Sequence, residues 1–242
     1  GTNNENLEAL SEICRYNNII IISDEIYTEL DYSGNYNSIS HFYPEGTIIS
    51  SGLSKWCGAG GWRLGTLIFP NELKIIHQSV RSLASETFSS VSAPIQYAAV
   101  KAFTEDHSKY LKNSRIILKK VADFVYDQLS ELEIDCIRPQ GGFYILCDFS
   151  KIIKNNLINN SSVLCEQVLN KTGFVMLPGK NFGIEDEKLI TRMAFVDFEG
   201  DRALSFLEKN KSINDEDFID LFPKIYNGIF KLKSWLKSEF LS

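Results

Sequence analysis

Little in this sequence points to disulfide, metal or membrane chemistry. Its five cysteines, at positions 14, 57, 136, 147 and 165, never approach C-x-x-C spacing. An odd, loosely spaced set argues against a disulfide framework or a zinc site, and for free thiols in a reducing compartment, the cytoplasm. The three histidines, His41, His77 and His107, are scattered and read as surface or core residues. No apolar run approaches the ~18 residues of a membrane span. Residues 19–22, four isoleucines, read instead as a strand buried on both faces of a parallel sheet. Positive charge is also short: 25 Lys and Arg stand against 31 Asp and Glu, for a net charge of -6. That balance disfavours general nucleic-acid binding. No internal repeat is visible.

What is present is ordinary globular material, 44% hydrophobic and 23% charged over 242 residues. That length suits one large domain or two small ones with a proper core. The most informative stretch is Ser50-Ser51-Gly52-Leu53-Ser54-Lys55-Trp56-Cys57-Gly58-Ala59-Gly60-Gly61-Trp62-Arg63-Leu64-Gly65. A β-type run, 47–50, leads in and another, 64–69, leads out. Glycines between them let backbone pass close to a ligand. A lysine in such a low-polarity loop has its charged form disfavoured, which makes the amine a usable nucleophile. Arg63 is a planar, permanently charged donor suited to a phosphate. An amine that condenses with an aldehyde, beside a phosphate anchor, is what pyridoxal phosphate requires. Other phosphate loops fit poorly. Arg63 stands where a dinucleotide loop needs its third glycine, and the G-x-x-x-x-G-K-[S/T] pattern is absent.

In chain order, residues 6–16 read as an amphipathic helix with Leu7, Leu10, Ile13 and Cys14 on one face. The strand at 19–22 delivers Asp24 to its carboxyl end, where open α/β sheets bind ligands, with Tyr27 three residues on. Residues 31–46 read as a polar loop. A helix starts at Asn71, residues 82–92 read as irregular, and Pro94 opens a helix to about 103. A long helix covers about 107–132. Pro139-Gln140-Gly141-Gly142 turns into a strand over 143–149. Residues 151–160 are polar and asparagine-rich. Then come a helix at 162–170, strands at 174–177 and 189–196, and a helix at 203–209. An acidic loop at 212–217 precedes a closing helix over 218–241. A domain boundary is expected near residue 105, between an α/β part and a smaller α+β part. Arg192 inside an apolar strand is costly unless it serves a purpose. Trp62, Phe143 and Phe182 read as core or site-wall packing.

These residues together resemble the class I/II aminotransferases, pyridoxal-phosphate enzymes of fold type I. The likeness rests on Asp24-Glu25-Ile26-Tyr27, Ser54-Lys55 with Gly61-Trp62-Arg63-Leu64-Gly65, Pro139-Gln140-Gly141-Gly142-Phe143-Tyr144, Leu177-Pro178-Gly179 with Phe182-Gly183, and Thr191-Arg192-Met193-Ala194-Phe195. Order and separation all agree, nearly end to end. The resemblance implies an α/β fold: part of the large cofactor-binding domain with a mainly parallel sheet (1–105), then a small α+β domain (106–242). It implies that Lys55 bonds the cofactor and serves as general base and acid. Asp24 would pair with the pyridine nitrogen, Tyr27 with the ring's phenolate oxygen, and Arg63 with the phosphate. Arg192 would clamp the substrate α-carboxylate. No metal is implied. The substrates would be an L-amino acid and a 2-oxo acid, with neither nucleic acid nor membrane as partner, and the full-length protein would be a homodimer.

Two departures stand out. The family serine three residues before the lysine is Gly52 here, with Ser51 and Ser54 as neighbours that could compensate. The chain also opens at Gly1-Thr2 without Met, and Gly1 matches the last residue of the family's N-P-x-N-P-T-G motif. It therefore reads as a fragment or processed product without the family's upstream phosphate loop, stacking aromatic and asparagine. Such a fragment is expected to be inactive alone, with apolar sheet surface exposed unless another chain covers it. A lyase or synthase on the same scaffold, or an aminotransferase-like effector domain of a regulator, are the competing readings.

Overall fold

The computed structural model describes residues 2–154 and 158–241. Gly1, and with it the motif match placed there, lies outside them, as do residues 155–157 of the asparagine-rich stretch. The chain forms two compact units, residues 1–111 and 112–242. Both combine helices with sheets, so the fold class is α/β.

The first unit opens with helix α1, Asn4–Tyr16, capped by Asn3, whose Oδ1 accepts from the Asn6 amide at 2.9 Å. Strand β1, Ile21–Asp24, pairs in parallel with β2, Thr47–Gly52. Strand β3, Gly65–Ile68, returns antiparallel to β2. Helices α2, Lys74–Thr87, and α3, Ala93–Thr104, follow. Two expectations are corrected here. The isoleucine run is not a strand buried on both faces. Ile19 and Ile20 precede β1, and Ile22 is 70% exposed, so among the described residues nothing covers that face of the strand. Residues 82–87 are helical rather than irregular. Their hydroxyls fold back onto the helix: Ser85 Oγ donates to Ser82 O and Thr87 Oγ1 to Leu83 O, each at 2.7 Å.

The division between the units falls inside α4, Ser108–Ser130. The second unit adds the short β4, Asp135–Cys136, and β5, Tyr144–Asp148. Helix α5, Ser161–Thr172, leads to β6, Leu177–Pro178, and β7, Ile190–Ala194. The sheet order is β4-β5-β7-β6, antiparallel throughout. Helices α6, Gly200–Lys209, α7, Asp215–Leu221, and α8, Pro223–Phe240, close the chain. One face of the sheet supplies Ile145, Cys147, Thr191 and Met193 to a core shared with Val125 and Leu129 of α4, Leu164 of α5, and Ile229 and Leu232 of α8, all buried.

Three boundaries in this unit differ from the sequence expectation. The closing helix is two helices, because Pro223 lacks the amide that would continue α7 and instead starts α8. The acidic loop is largely the start of α7. Asn214 and Asp217 form a reciprocal capping box there, with the Asp217 amide donating to Asn214 Oδ1 at 2.8 Å. Strand pairing of the 174–177 segment begins only at Leu177. Phe174 instead places its ring against Gly228 of α8, so closely that a Cβ there would lie 3.0 Å from the ring.

Candidate active site

The reactive residues of the first unit gather at the carboxyl ends of two parallel strands. Asp24 is the last residue of β1, in register with Ser50 of β2, and is exposed. Its Oδ1 accepts from the Ile26 amide at 3.3 Å, a turn that directs the chain toward Tyr27. The next residue, Glu25, is buried. Its amide donates to Ser50 O at 2.8 Å, and its Oε1 accepts from Ser38 Oγ at 2.5 Å. Ser38 and Ser40 exchange a further hydroxyl contact at 2.7 Å. Burial, followed by the charge of Glu25, pushes the Tyr36 phenol up to about 12, so it stays protonated. This network ties the polar loop beneath the strand end and holds the turn that carries Asp24 and Tyr27.

Lys55 sits on the loop after β2. Leu53 and Trp56 on either side of it are buried, with Trp56 packed on Phe103 and His107 at ring separations of 6.4 and 5.7 Å. A turn closes behind the lysine: the Gly58 amide donates to Lys55 O at 3.2 Å, and Gly58 takes a left-handed φ of 66°. The Lys55 ammonium lies 5.6 Å from the centre of the Tyr27 ring. The structure therefore brings Lys55 and Tyr27 together. Asp24 precedes Tyr27 by three residues, and its strand neighbours the one that feeds Lys55.

Arg63 ends the same loop. It is exposed, adopts a left-handed conformation and donates from Nη1 to Gly60 O at 3.0 Å. Among the described residues that bond uses one of the five guanidinium hydrogens. Position 52 has a structural reason to be glycine. Gly52 faces Gly65 across β2 and β3, and a Cβ on it would lie 2.7 Å from Leu64 O, a backbone atom. A serine hydroxyl at this position would require β2 and β3 to separate. Trp62, read as packing, is 41% exposed.

Arg192 belongs to the second unit and has its own surroundings. It lies on β7 between Leu146 of β5 and Leu177 of β6, on the sheet face away from the core. Its guanidinium carbon is 4.2 Å from the Tyr144 ring centre and 4.0 Å from that of Phe182. Among the described residues no carboxylate pairs with it. Aromatic faces on both sides hold the planar group while leaving its N–H edge available for a carboxylate fork. Sequence reasoning missed this clamp. The signal was strand parity: Tyr144 and Leu146 share a face of β5, and Leu146 opposes Arg192.

The donor set fits pyridoxal phosphate: an amine, a carboxylate and a phenol at one strand end, and a guanidinium at the loop exit. Comparison with known proteins agrees. Residues 2–199 match the family described as aminotransferase class I and II. The chain belongs to that family. It is 29% identical over 187 residues to the aspartate aminotransferase of Geobacillus stearothermophilus, covering 75% of this chain and 47% of that protein. It is 30% identical over 191 residues to the probable N-acetyl-LL-diaminopimelate aminotransferase of Bacillus subtilis (strain 168), covering 79% and 46%. In structure it resembles a double mutant of Thermus thermophilus aspartate aminotransferase, with a TM-score of 0.71, 25% identity, and coverage of 86% of this chain and 52% of that one. An aromatic aminotransferase from Pyrococcus horikoshii OT3 shares the fold, with a TM-score of 0.76 at 23% identity, covering 98% of this chain and 56% of that one. The chain spans about half the length of the curated relatives it matches.

Proposed function

We propose that this protein takes part in transferring the amino group of an L-amino acid to a 2-oxo acid, with pyridoxal 5'-phosphate bound by Lys55, Asp24, Tyr27 and Arg63. The observation that carries this reading is the Lys55 amine, held 5.6 Å from the Tyr27 ring at the strand end that bears Asp24. When bound, the cofactor supplies an aldehyde that takes an amine and a ring that accepts electron density from the substrate Cα. Lys55 would be the amine that holds the aldehyde, and its side chain would move the proton at Cα as general base and acid. Asp24 would keep a proton at the ring nitrogen through a charge-assisted hydrogen bond. Tyr27 would donate its phenol to the ring oxygen, and Arg63 would neutralise the phosphate. Arg192, stacked between Tyr144 and Phe182, takes the α-carboxylate shared by amino acid and oxo acid.

In this reading the full-length protein is a homodimer. The 242 residues by themselves hold the cofactor weakly, because near-attack geometry needs a supporting shell and residues 1–111 leave much of their apolar surface uncovered. Borohydride reduction of the cofactor-loaded full-length protein, followed by peptide mapping, is expected to place the pyridoxyl group on Lys55. Label on another lysine rejects the assignment. Turnover that persists without a 2-oxo acid rejects amino transfer and favours a lyase on the same residues.

A further inference from the structure

Two cysteines on neighbouring strands stand opposite each other in the fold. Cys136 of β4 and Cys147 of β5 are direct cross-strand partners. Opposed residues of an antiparallel pair have Cα atoms about 4.5–5.5 Å apart. A disulfide spans about 4.4–6.8 Å between Cα atoms, a range that covers this separation. Opposed side chains also share one face of the sheet, here the core face that carries Ile145. Cys147 is completely buried and Cys136 is half-buried, so a reagent reaches the pair only through Cys136. We infer that Cys136 and Cys147 form a reversible dithiol–disulfide pair, oxidised by a low-molecular-weight disulfide.

The exchange balances in two steps. The Cys136 thiolate attacks one sulfur of the reagent disulfide and displaces the other half, which takes a proton from solvent. Cys147 then gives its proton to solvent, attacks the Cys136 sulfur of the mixed disulfide and displaces the second half as a thiol. The two protein thiols lose two electrons and two protons, and the reagent gains both. Proton affinities agree with this order. A hydrogen bond from the Cys147 thiol draws Cys136 below the usual thiol range, while contact with Cys136 and burial push Cys147 well above it.

The bridge would close a loop over residues 137–146. That loop contains the Pro139-Gln140-Gly141-Gly142 turn and Tyr144, one of the two rings that hold Arg192. In the reduced form the loop is anchored on one side by β4, a two-residue strand at the sheet edge. Oxidation therefore stiffens the segment that backs the arginine. This inference is independent of the proposed reaction, since it needs only the strand register and two thiols.

The test is equilibration of the full chain with glutathione disulfide, alkylation of remaining thiols and peptide mapping without reduction. The expected product is a peptide joined through Cys136 and Cys147. Titratable thiols should fall from five to three and be restored by dithiothreitol. Hydrogen exchange across 137–146 should slow on oxidation, and Cys136→Ser should abolish that slowing. Cys147→Ser should trap a glutathione adduct on Cys136. No reaction, a stable adduct on Cys136 of the unmodified chain, or a bridge through Cys14, Cys57 or Cys165 would each overturn the proposal.

Discussion

Residues 112–242 enclose their apolar side chains, whereas residues 1–111 leave many of theirs on the surface. Of the largest fully buried side chains among the described residues, only Leu53 lies in the first unit. The second unit holds Phe149, Phe222, Leu129, Ile145, Leu164, Met193, Ile229, Leu232 and Leu236. In the first unit Ile22, Leu67, Ile68, Ile75, Leu83 and Phe88 are all at least half exposed. The contrast has a topological cause. In the second unit one face of a four-stranded sheet is buried, as are apolar residues of α4, α5 and α8. In the first unit a three-stranded sheet has apolar residues on exposed positions of both β1 and β3. Yet Lys55, Asp24, Tyr27 and Arg63 all stand on this less enclosed unit, and Arg192 alone on the other. Local hydrogen bonds, the Glu25–Ser38 contact and the buried Leu53 and Trp56 hold the reactive loop, rather than a deep core.

This comparison predicts that function and stability separate between the units. The largest effect is on turnover. In the cofactor-loaded protein, Lys55→Ala should lower the amino-transfer rate by about 10³-fold, within the range for losing a general acid–base group. The unfolding midpoint should barely move. Steady-state rates and urea unfolding on one preparation decide it, and a retained rate would remove Lys55 from the chemistry.

The next effect is on stability. Leu236→Ala in the second unit should cost about 2–5 kcal/mol, the usual cost of truncating a buried leucine. Leu67→Ala in the first should stay within about 0.5 kcal/mol, as for surface positions. Urea titrations would break the comparison if the two costs came out equal.

Arg192→Lys tests the aromatic clamp. It keeps the charge but loses the bidentate fork, so the KM for amino acid and for oxo acid should each rise by about tenfold, the worth of one charged hydrogen bond. The absorbance of the bound cofactor should stay the same. A change in that spectrum with an unchanged KM would move Arg192 out of substrate binding.

The smallest effect is the acid sensitivity of the second unit. Asp186 accepts from Ser161 Oγ at 2.7 Å and Ser162 Oγ at 3.1 Å at the start of α5, and pairs with Lys180. The Ser161 hydrogen bond leads the causes that lower its carboxyl from 3.8 to about 2. A depressed folded-state value contributes stability that is fully present above pH 3.8 and is lost as pH falls through about 2. Thermal melts from pH 5 to 2 should therefore show a steeper decline for the unaltered chain than for Asp186→Asn. Parallel curves would assign the acid sensitivity elsewhere.

Much of this was legible without coordinates. Periodicity located most of the helices, and the spacing of Lys55, Arg63, Asp24 and Arg192 carried the family pattern. What misled was local. Hydroxyl-rich residues 82–87 read as a breaker but bond back to their own helix. The acidic segment at 215–217 read as loop because its negative charge hides a helix start, where charge favours the amide end.

The sequence by itself determined which residues can do chemistry, because an amine, a guanidinium and a carboxylate keep their reactivity wherever they are placed, and short-range spacing limits what they can reach. It showed Gly52 only as a departure from the family serine. Only the tertiary structure decided that Gly52 faces the Leu64 carbonyl, that Tyr144 and Phe182 enclose Arg192, and that Cys136 meets Cys147. Each depends on which strand lies beside which and in what register. A shift of one residue would turn every side chain of a strand to the opposite face, and the summed burial of both units selects that register.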